Sequence, residues 1–298
     1  MTRDAVISVE ALTKRYGSVE AVRGIDFDVR RGEVLGFLGP NGAGKSTTIR
    51  CLLDLIRPSG GNVRMFGLDP RHDGVAIRSR VGYVPGELRL PDRMTGRQLV
   101  AAVSIDRGPV DPDRLAALAE RLAVDLGRQN RQLSTGNRRK LALLLAFLWP
   151  VELLILDEPT NGLDPLMQQT FLGMVAEARA AGATVLLSSH VLSEVQRSAD
   201  RVVVLRAGRI AAEGPIEELR RRARQRLEVW FAGPAPAQRL AGLEELEDVR
   251  VDGRRVNATI RGSVRPVLRL LADEPVENVL IEEPDLEEAF LDLYGAAS

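Results

Sequence analysis

Apolar residues in the first part of the chain occur in short runs that predict β-strands. Residues 25–30 alternate apolar and polar side chains, as expected of a strand with one buried face. Residues 34–38 are all apolar or glycine, which predicts a strand buried on both faces. Two further strands are predicted at 62–66 and 80–84, and a helix is predicted at 45–55, before Pro58.

The middle of the chain has apolar residues at helical spacing, which predicts helices at 95–103, 113–123 and 138–149. Beyond Pro150 the two patterns alternate. Strands are predicted at 153–156, 184–188 and 201–205, and helices at 165–180 and 192–199. Such alternation predicts a mainly parallel sheet with helices on both faces. The helices within about 88–150 then form a subdomain inserted into an α/β domain.

A second, smaller α+β domain is predicted at the C-terminus, after an arginine-rich helical linker at 217–226. Asp252-Gly253 suits a hairpin turn between two of its strands. The predicted strands are 227–231, 249–251, 256–260 and 276–281, and the predicted helices are 264–272 and 286–294. We therefore expect domains at 1–218 and 219–298.

Composition supports this picture and narrows the classes of partner. A chain of 298 residues suits two domains. The 45% apolar and 28% charged residues are those of a soluble globular protein. Because 41 basic and 41 acidic residues balance, charge gives no reason to expect nucleic acid as a partner. One cysteine, Cys51, cannot form a disulfide framework, and the N-terminus lacks a signal-peptide pattern, so we expect a soluble, cytoplasmic protein.

One segment matches the phosphate-binding pattern G-x-x-x-x-G-K-[ST]. It lies between a predicted buried strand and a predicted helix, where its backbone N–H groups and the helix N-terminus can bind a polyphosphate. We expect Lys45 to contact the β- and γ-phosphates of ATP and Ser46 to hold Mg²⁺. The segment consists of Gly39, Pro40, Asn41, Gly42, Ala43, Gly44, Lys45, Ser46 and Thr47.

Two acidic residues, Asp157 and Glu158, end the apolar strand predicted at 153–156. A carboxylate at such a strand end can hold Mg²⁺ or its waters beside the phosphate loop. A second carboxylate can polarise the attacking water as a general base. We therefore expect Asp157 to bind the metal and Glu158 to be catalytic.

Residues 133–137 (LSTGN) resemble the LSGGQ signature of ATP-binding cassette (ABC) proteins, and residues 5–215 resemble this family with its main motifs in order. Residues 161–164 resemble the family's D-loop, and Ser188-Ser189-His190 resembles its switch histidine. Tyr16 stands where the family stacks an aromatic ring on adenine. The resemblance implies a P-loop NTPase (RecA-like) ABC ATPase core with an inserted helical subdomain, followed here by the small α+β domain.

The resemblance also implies cofactors and a partner. ATP and Mg²⁺ are expected, with His190 beside the γ-phosphate. Lys45 and His190 are then catalytic together with Glu158, because they would stabilise the charge that develops on the phosphate. Ser134 and Gly136, before the helix predicted at 138–149, would face the ATP of an opposing subunit in a head-to-tail dimer with a second copy or a paralogue. Tyr16 and His190 also have purely structural interpretations.

The chain departs from the family pattern at three positions. Thr135 replaces a glycine of the signature, and Asn137 replaces its glutamine. Gly86 stands where the family commonly has a glutamine that reaches the Mg²⁺ ion. Either Glu87 takes over this role as a metal ligand, or Mg²⁺ keeps an additional water.

The tail at 283–295 resembles the ending of bacterial daunorubicin- and bacitracin-resistance exporter ATPases. This implies a separate ABC-2-type permease and a location on the inner face of the cell membrane. An amphipathic helix that covers the C-terminal domain is the simpler interpretation of the same tail, and both can hold. Its inward residues would be Leu286, Phe290, Leu293 and Tyr294.

Three alternative classes fit the sequence less well. Cassette ATPases of DNA repair carry long coiled coils or zinc-binding cysteines, whereas this chain has a single cysteine and no sustained heptads. Translation factors of the superfamily fuse two cassettes with a basic linker. Importer ATPases usually carry a barrel-like C-terminal extension, which the predicted mixture of helices and strands disfavours.

Overall fold

Six strands of the N-terminal part form the central sheet. In spatial order they are β5 (Val81–Val84), β6 (Leu153–Asp157), β7 (Thr184–Ser189), β3 (Val34–Leu38), β8 (Arg201–Arg206) and β9 (Arg209–Pro215). The first five strands in this order pair in parallel. The computed structural model describes residues 5–218 and 225–282, and the chain divides into two compact units, 1–213 and 214–298. The strands of the first unit are β1 (Ala5–Tyr16), β2 (Val19–Arg30), β3 (Val34–Leu38), β4 (Gly60–Met65), β5 (Val81–Val84), β6 (Leu153–Asp157), β7 (Thr184–Ser189), β8 (Arg201–Arg206) and β9 (Arg209–Pro215).

The central sheet is buried on both faces, as its sequence predicts. Every residue of β3, β6 and β7 is buried, and helices cover the sheet. The mainly parallel α/β fold is therefore confirmed. The helices of this unit are α1 (Lys45–Leu52), α2 (Pro70–Arg78), α3 (Gly96–Arg107), α4 (Pro112–Arg121), α5 (Thr135–Leu148), α6 (Pro165–Ala180) and α7 (Leu192–Ser198).

A three-stranded antiparallel sheet, in the order β2-β1-β4, accompanies the central one. The sequence pattern did not predict β1. Ala11 has a left-handed φ of 47°, and the pairing register shifts between Val9 and Leu12, so the alternation of apolar residues is interrupted. The short elements α2 and β9 were also missed.

The inserted helical subdomain lies between β5 and β6, which pair directly as parallel neighbours. It contains α3, α4 and α5. The prediction that the last of these begins at Arg138 is wrong: Ser134 accepts a hydrogen bond from the Asn137 N–H and caps a helix that begins at Thr135. The predicted end of α1 is also wrong: the helix ends at Leu52 rather than at residue 55.

The second unit has the β-α-β-β-α-β arrangement of a split βαβ fold, with four antiparallel strands in the order β11-β12-β10-β13. Gly253, with φ 59°, makes the predicted hairpin turn. Gln225 and Arg226 were predicted to belong to a helical linker, but they are the first residues of strand β10. Residues 219–224 of that linker and the tail at 283–295 lie outside the described residues. The elements are β10 (Gln225–Phe231), α8 (Ala237–Ala241), β11 (Leu246–Asp252), β12 (Arg255–Ile260), α9 (Arg265–Ala272) and β13 (Val276–Glu282).

Within 5–218 and 225–282, every helix is too short or too polar to cross a lipid bilayer. Cys51 lies in the core at 2% exposure, where burial raises the pKa of its thiol to about 11.

Candidate functional site

The phosphate-loop pattern forms the connection between β3 and α1. Gly44 precedes the helix with a left-handed φ of 107°, and a Cβ there would lie 2.6 Å from the Ala21 carbonyl oxygen. Only glycine fits this position without strain. Because glycine has no side chain, it cannot cap the first N–H groups of α1, which are left for an anion.

Lys45 is buried at the start of α1, with 5% of its surface exposed. Its ammonium group donates to the carbonyl oxygens of Gly39 at 2.5 Å and Pro40 at 3.3 Å. The same nitrogen lies 3.1 Å from Glu158 Oε1. The lysine is thus folded back across the loop and paired with a carboxylate, at the position where a polyphosphate would offer it negative charge.

Asp157 and Glu158 lie where β6 ends, and β7 brings Ser188 beside them, because the two parallel strands pair Asp157 with Ser188. Ser188 Oγ donates to Asp157 Oδ1 at 2.5 Å. The backbone N–H of Glu158 donates to the Ser188 carbonyl at 3.1 Å. Glu158 has a left-handed φ of 49°, so the chain turns sharply after Asp157. The carboxylates of Asp157 and Glu158 therefore point in different directions.

Glu158 links Lys45 to His190. Its Oε2 lies 2.7 Å from His190 Nδ1, while Oε1 accepts no hydrogen bond from any described residue and faces only the lysine charge. The carboxylate side chain is 10% exposed, and the imidazole is 38% exposed. A carboxylate that exchanges its lysine partner for water, with an imidazole on its other oxygen, can accept a proton from that water. The structure therefore brings all three predicted catalytic residues together.

The remaining predicted nucleotide contacts differ in exposure: Gly39, Ala43 and Gly44 are buried, and Pro40 is exposed. Ser46 and Thr47 are half-buried in the first turn of α1, and Asn41 and Gly42 are exposed in the loop. Tyr16, at the end of β1, is 46% exposed, and Lys14 Nζ lies 4.9 Å from its ring centroid. An exposed aromatic ring with a cation beside it is suited to stacking on a planar base.

The predicted metal ligands fit Mg²⁺ in their chemistry. Ser46 offers a hydroxyl and Asp157 a carboxylate, and Mg²⁺ is usually held by one or two such groups together with substrate phosphates. Among the described residues, no group of three or more histidine, cysteine, aspartate or glutamate side chains can hold a metal alone. One hydroxyl and one carboxylate are too few ligands for Mg²⁺, so the phosphates of a nucleotide would have to supply further ones.

Glu87, the alternative metal ligand, is engaged elsewhere in the structure. Its carboxylate pairs with Arg89 at 2.9 Å and with Arg50 at 3.7 Å. The hydrogen bond and charge of Arg89, together with the charge of Arg50, hold the pKa of Glu87 below its usual value. The side chain is 63% exposed, which favours a surface ion pair over a buried ligand.

The signature segment lies at the N-terminus of α5. Ser134 is exposed and caps the helix, and Gly136 is half-buried within the first turn. Of the buried residues on this helix, Arg139 escaped the sequence analysis. An arginine in a polar stretch is usually solvated, but this one donates to the carbonyl oxygens of Pro85 and Gly86.

Comparison with known proteins agrees with the fold and identifies the family. Residues 22–161 match the ABC transporter family model. The chain is 35% identical to the daunorubicin resistance ATP-binding protein DrrA3 of Streptomyces coeruleorubidus, over 98% of this chain and 96% of that protein. It is 31% identical to the bacitracin transport ATP-binding protein BcrA of Bacillus licheniformis, over 98% of each.

A solved structure described as an ATP-binding subunit of an ABC transporter superposes with a TM-score of 0.68, at 31% identity over 72% of this chain and 92% of that one. The fold and site thus define an ATP-binding and ATP-hydrolysing cassette. More particularly, the chain belongs to the ABC transporter family of ATP-binding subunits, and the relatives that match over nearly their full length include a daunorubicin resistance protein and a bacitracin transport protein.

Proposed function

We propose that this chain powers the export of a drug-like or lipid-like compound through a separate ABC-2-type permease, at the inner face of the cell membrane. The observation that carries the motor role is the cluster in which the buried Glu158 joins the buried Lys45 to His190. The names of relatives support export: besides the daunorubicin resistance and bacitracin transport proteins, a fluoroquinolones export ATP-binding protein of Mycobacterium tuberculosis is 33% identical over 97% of this chain and 93% of that protein.

In the proposed mechanism, Glu158 accepts a proton from a water that attacks the γ-phosphate in line. Lys45 exchanges its contact with Glu158 for the phosphates, and His190 stabilises the charge that develops there. Ser46 and Asp157 would hold a Mg²⁺ ion, which supplies neutralisation of the phosphate charge. Tyr16 stacks on adenine, and the loop from Gly39 to Thr47 surrounds the phosphates.

The second half of each site is proposed to come from another copy or a paralogue, through Ser134 and Gly136. In a hydrolysis-deficient Glu158→Gln background, we expect ATP to convert a monomer into a dimer. Ser134→Asp should prevent this conversion, because aspartate preserves the helix cap yet repels the γ-phosphate. Size-exclusion chromatography with light scattering measures the change. Ser134→Asn, which caps without charge, is the matched control, and a Ser134→Asp variant that still dimerises contradicts the proposed interface.

Export is tested by expressing the tagged chain with the membrane protein encoded beside its gene. We expect the two to co-purify, and we expect ATPase activity to exceed that of the isolated chain, because a cassette motor is completed by its permease. The competing functions in DNA repair or translation predict a different result. ATPase activity that rises with duplex DNA or ribosomes, and that the permease leaves unchanged, would exclude the exporter proposal.

A further inference from the structure

Arg139 is a buried cation near the start of α5, with 6% of its surface exposed. Its Nη1 donates to the Pro85 carbonyl at 2.6 Å, and its Nη2 donates to the Gly86 carbonyl at 2.8 Å. Burial lowers the pKa of the guanidinium, while the charges of Asp157 and Glu158 oppose that shift. A buried charge persists only with such hydrogen bonds and counter-charges. Arg139 therefore fixes the backbone at 85–86 on the side away from solvent.

That backbone contacts Asp157 in turn. The Gly86 N–H donates to Asp157 Oδ2 at 3.3 Å, while Ser188 holds Oδ1 at 2.5 Å. A Cβ at position 86 would lie 2.8 Å from Oδ2 and 3.1 Å from Cγ of the aspartate. Because Asp157 is 1% exposed and held on its other oxygen, a side chain at 86 must displace the carboxylate. Glycine is thus the residue that lets the main chain reach Asp157.

We propose that Arg139 is a positioning residue for ATP hydrolysis, which holds the Pro85-Gly86 backbone so that the Gly86 N–H orients the Asp157 carboxylate. This inference rests on the proposed metal-binding role of Asp157. It explains how position 86 can lack the glutamine side chain that the family commonly has there. The Arg139 guanidinium and the Gly86 main-chain N–H link this segment to Asp157 instead. Ser134 caps the same helix, so the signature and Arg139 lie on one element.

Arg139→Met and Gly86→Ala test the two ends of this connection separately. ATP affinity of the full chain is measured by calorimetry in EDTA and over a Mg²⁺ titration. We expect each variant to raise the Mg²⁺ concentration that half-saturates the gain in ATP affinity by roughly 10- to 100-fold, as for residues that orient a metal ligand. Affinity in EDTA should stay unchanged. The matched control is Arg138→Met, since Arg138 lies next on the same helix but donates to the Asn130 carbonyl at 3.0 Å.

The double variant decides whether the two residues act through one route. If they do, the double variant raises the half-saturating Mg²⁺ concentration by less than the product of the two single fold-changes. A fold-change equal to that product overturns the proposal. Gly86→Ala leaves the buried guanidinium in place, so it tests the inference even where Arg139→Met fails to fold. Asp157→Asn distinguishes a failure of the inference about Arg139 from a failure of the proposed metal-binding role of Asp157. If it abolishes the Mg²⁺ effect while both other variants match the wild type, only the inference about Arg139 falls; if it has no effect, the metal role of Asp157 falls too.

Discussion

Replacing Glu158 by glutamine is expected to reduce the rate of ATP hydrolysis by about 10²- to 10⁴-fold, the usual contribution of a general base. The carboxylate is 10% exposed and lies 2.7 Å from His190 Nδ1. Glutamine has the same shape and keeps a hydrogen bond to the imidazole. It cannot accept the proton of the attacking water, so the chemical step is lost while the site keeps its form.

ATP affinity should respond in the opposite direction. Lys45 is paired with Glu158 at 3.1 Å, and this contact would compete with the phosphates for the lysine. Glutamine removes the negative charge and releases Lys45. We therefore expect Glu158→Gln to bind ATP at least as tightly as the wild type, in the presence and absence of Mg²⁺.

The matched control is Glu152→Gln, the same chemical change just before the other end of β6. Glu152 pairs with Arg80 and Arg31, chiefly through its hydrogen bond to Arg80, and these contacts lower its pKa to about 2. Its loss weakens a surface ion pair without touching the phosphate loop. Single-turnover hydrolysis and calorimetric binding measure both variants. Hydrolysis by Glu158→Gln at the wild-type rate would remove Glu158 as the base.

For two elements whose ends are marked in the sequence, the predicted first and last residues are those of the structure. The run Val34–Leu38 is a strand, and Pro165–Ala180 is a helix that begins with a proline after the cap Asp164. The predicted start of α5 was three residues too late, because Thr135-Gly136-Asn137 is polar and is typical of a loop. A cap contact decides such a boundary, and the hydrophobic period carries no information about it.

The site was predictable as a set of residues because parallel strands place their carboxyl ends at one edge of the sheet. This is why Asp157, Glu158 and His190 meet the phosphate loop. Their pairings were not predictable. The contact between Glu158 and Lys45, and that between Arg139 and the Pro85 carbonyl, join segments far apart in the chain, and only the folded backbone fixes which groups meet.

Lys45→Met is expected to weaken ATP binding by about 100-fold, or roughly 3 kcal/mol, the upper range for a hydrogen bond to a charged group. The wild-type ammonium is already buried at 5% exposure, so its interaction with the phosphates of ATP requires no further desolvation of the lysine. Methionine fills a similar volume and offers no charge or donor. Lys140→Met, the same substitution at a position in α5, is the control and should bind ATP as the wild type does.

The same substitution should also destabilise the nucleotide-free chain, because it leaves Glu158 buried at 10% exposure without its lysine. Breaking a buried pair at one partner costs about 3 kcal/mol. Adding Glu158→Gln to Lys45→Met removes the unpaired charge and should restore much of the loss, so that the double variant melts at a higher temperature than Lys45→Met alone. Thermal unfolding without nucleotide measures the cycle. Equal melting temperatures for the single and double variants would show that the two charges do not stabilise each other, and that Lys45 is free to receive phosphate without first leaving Glu158.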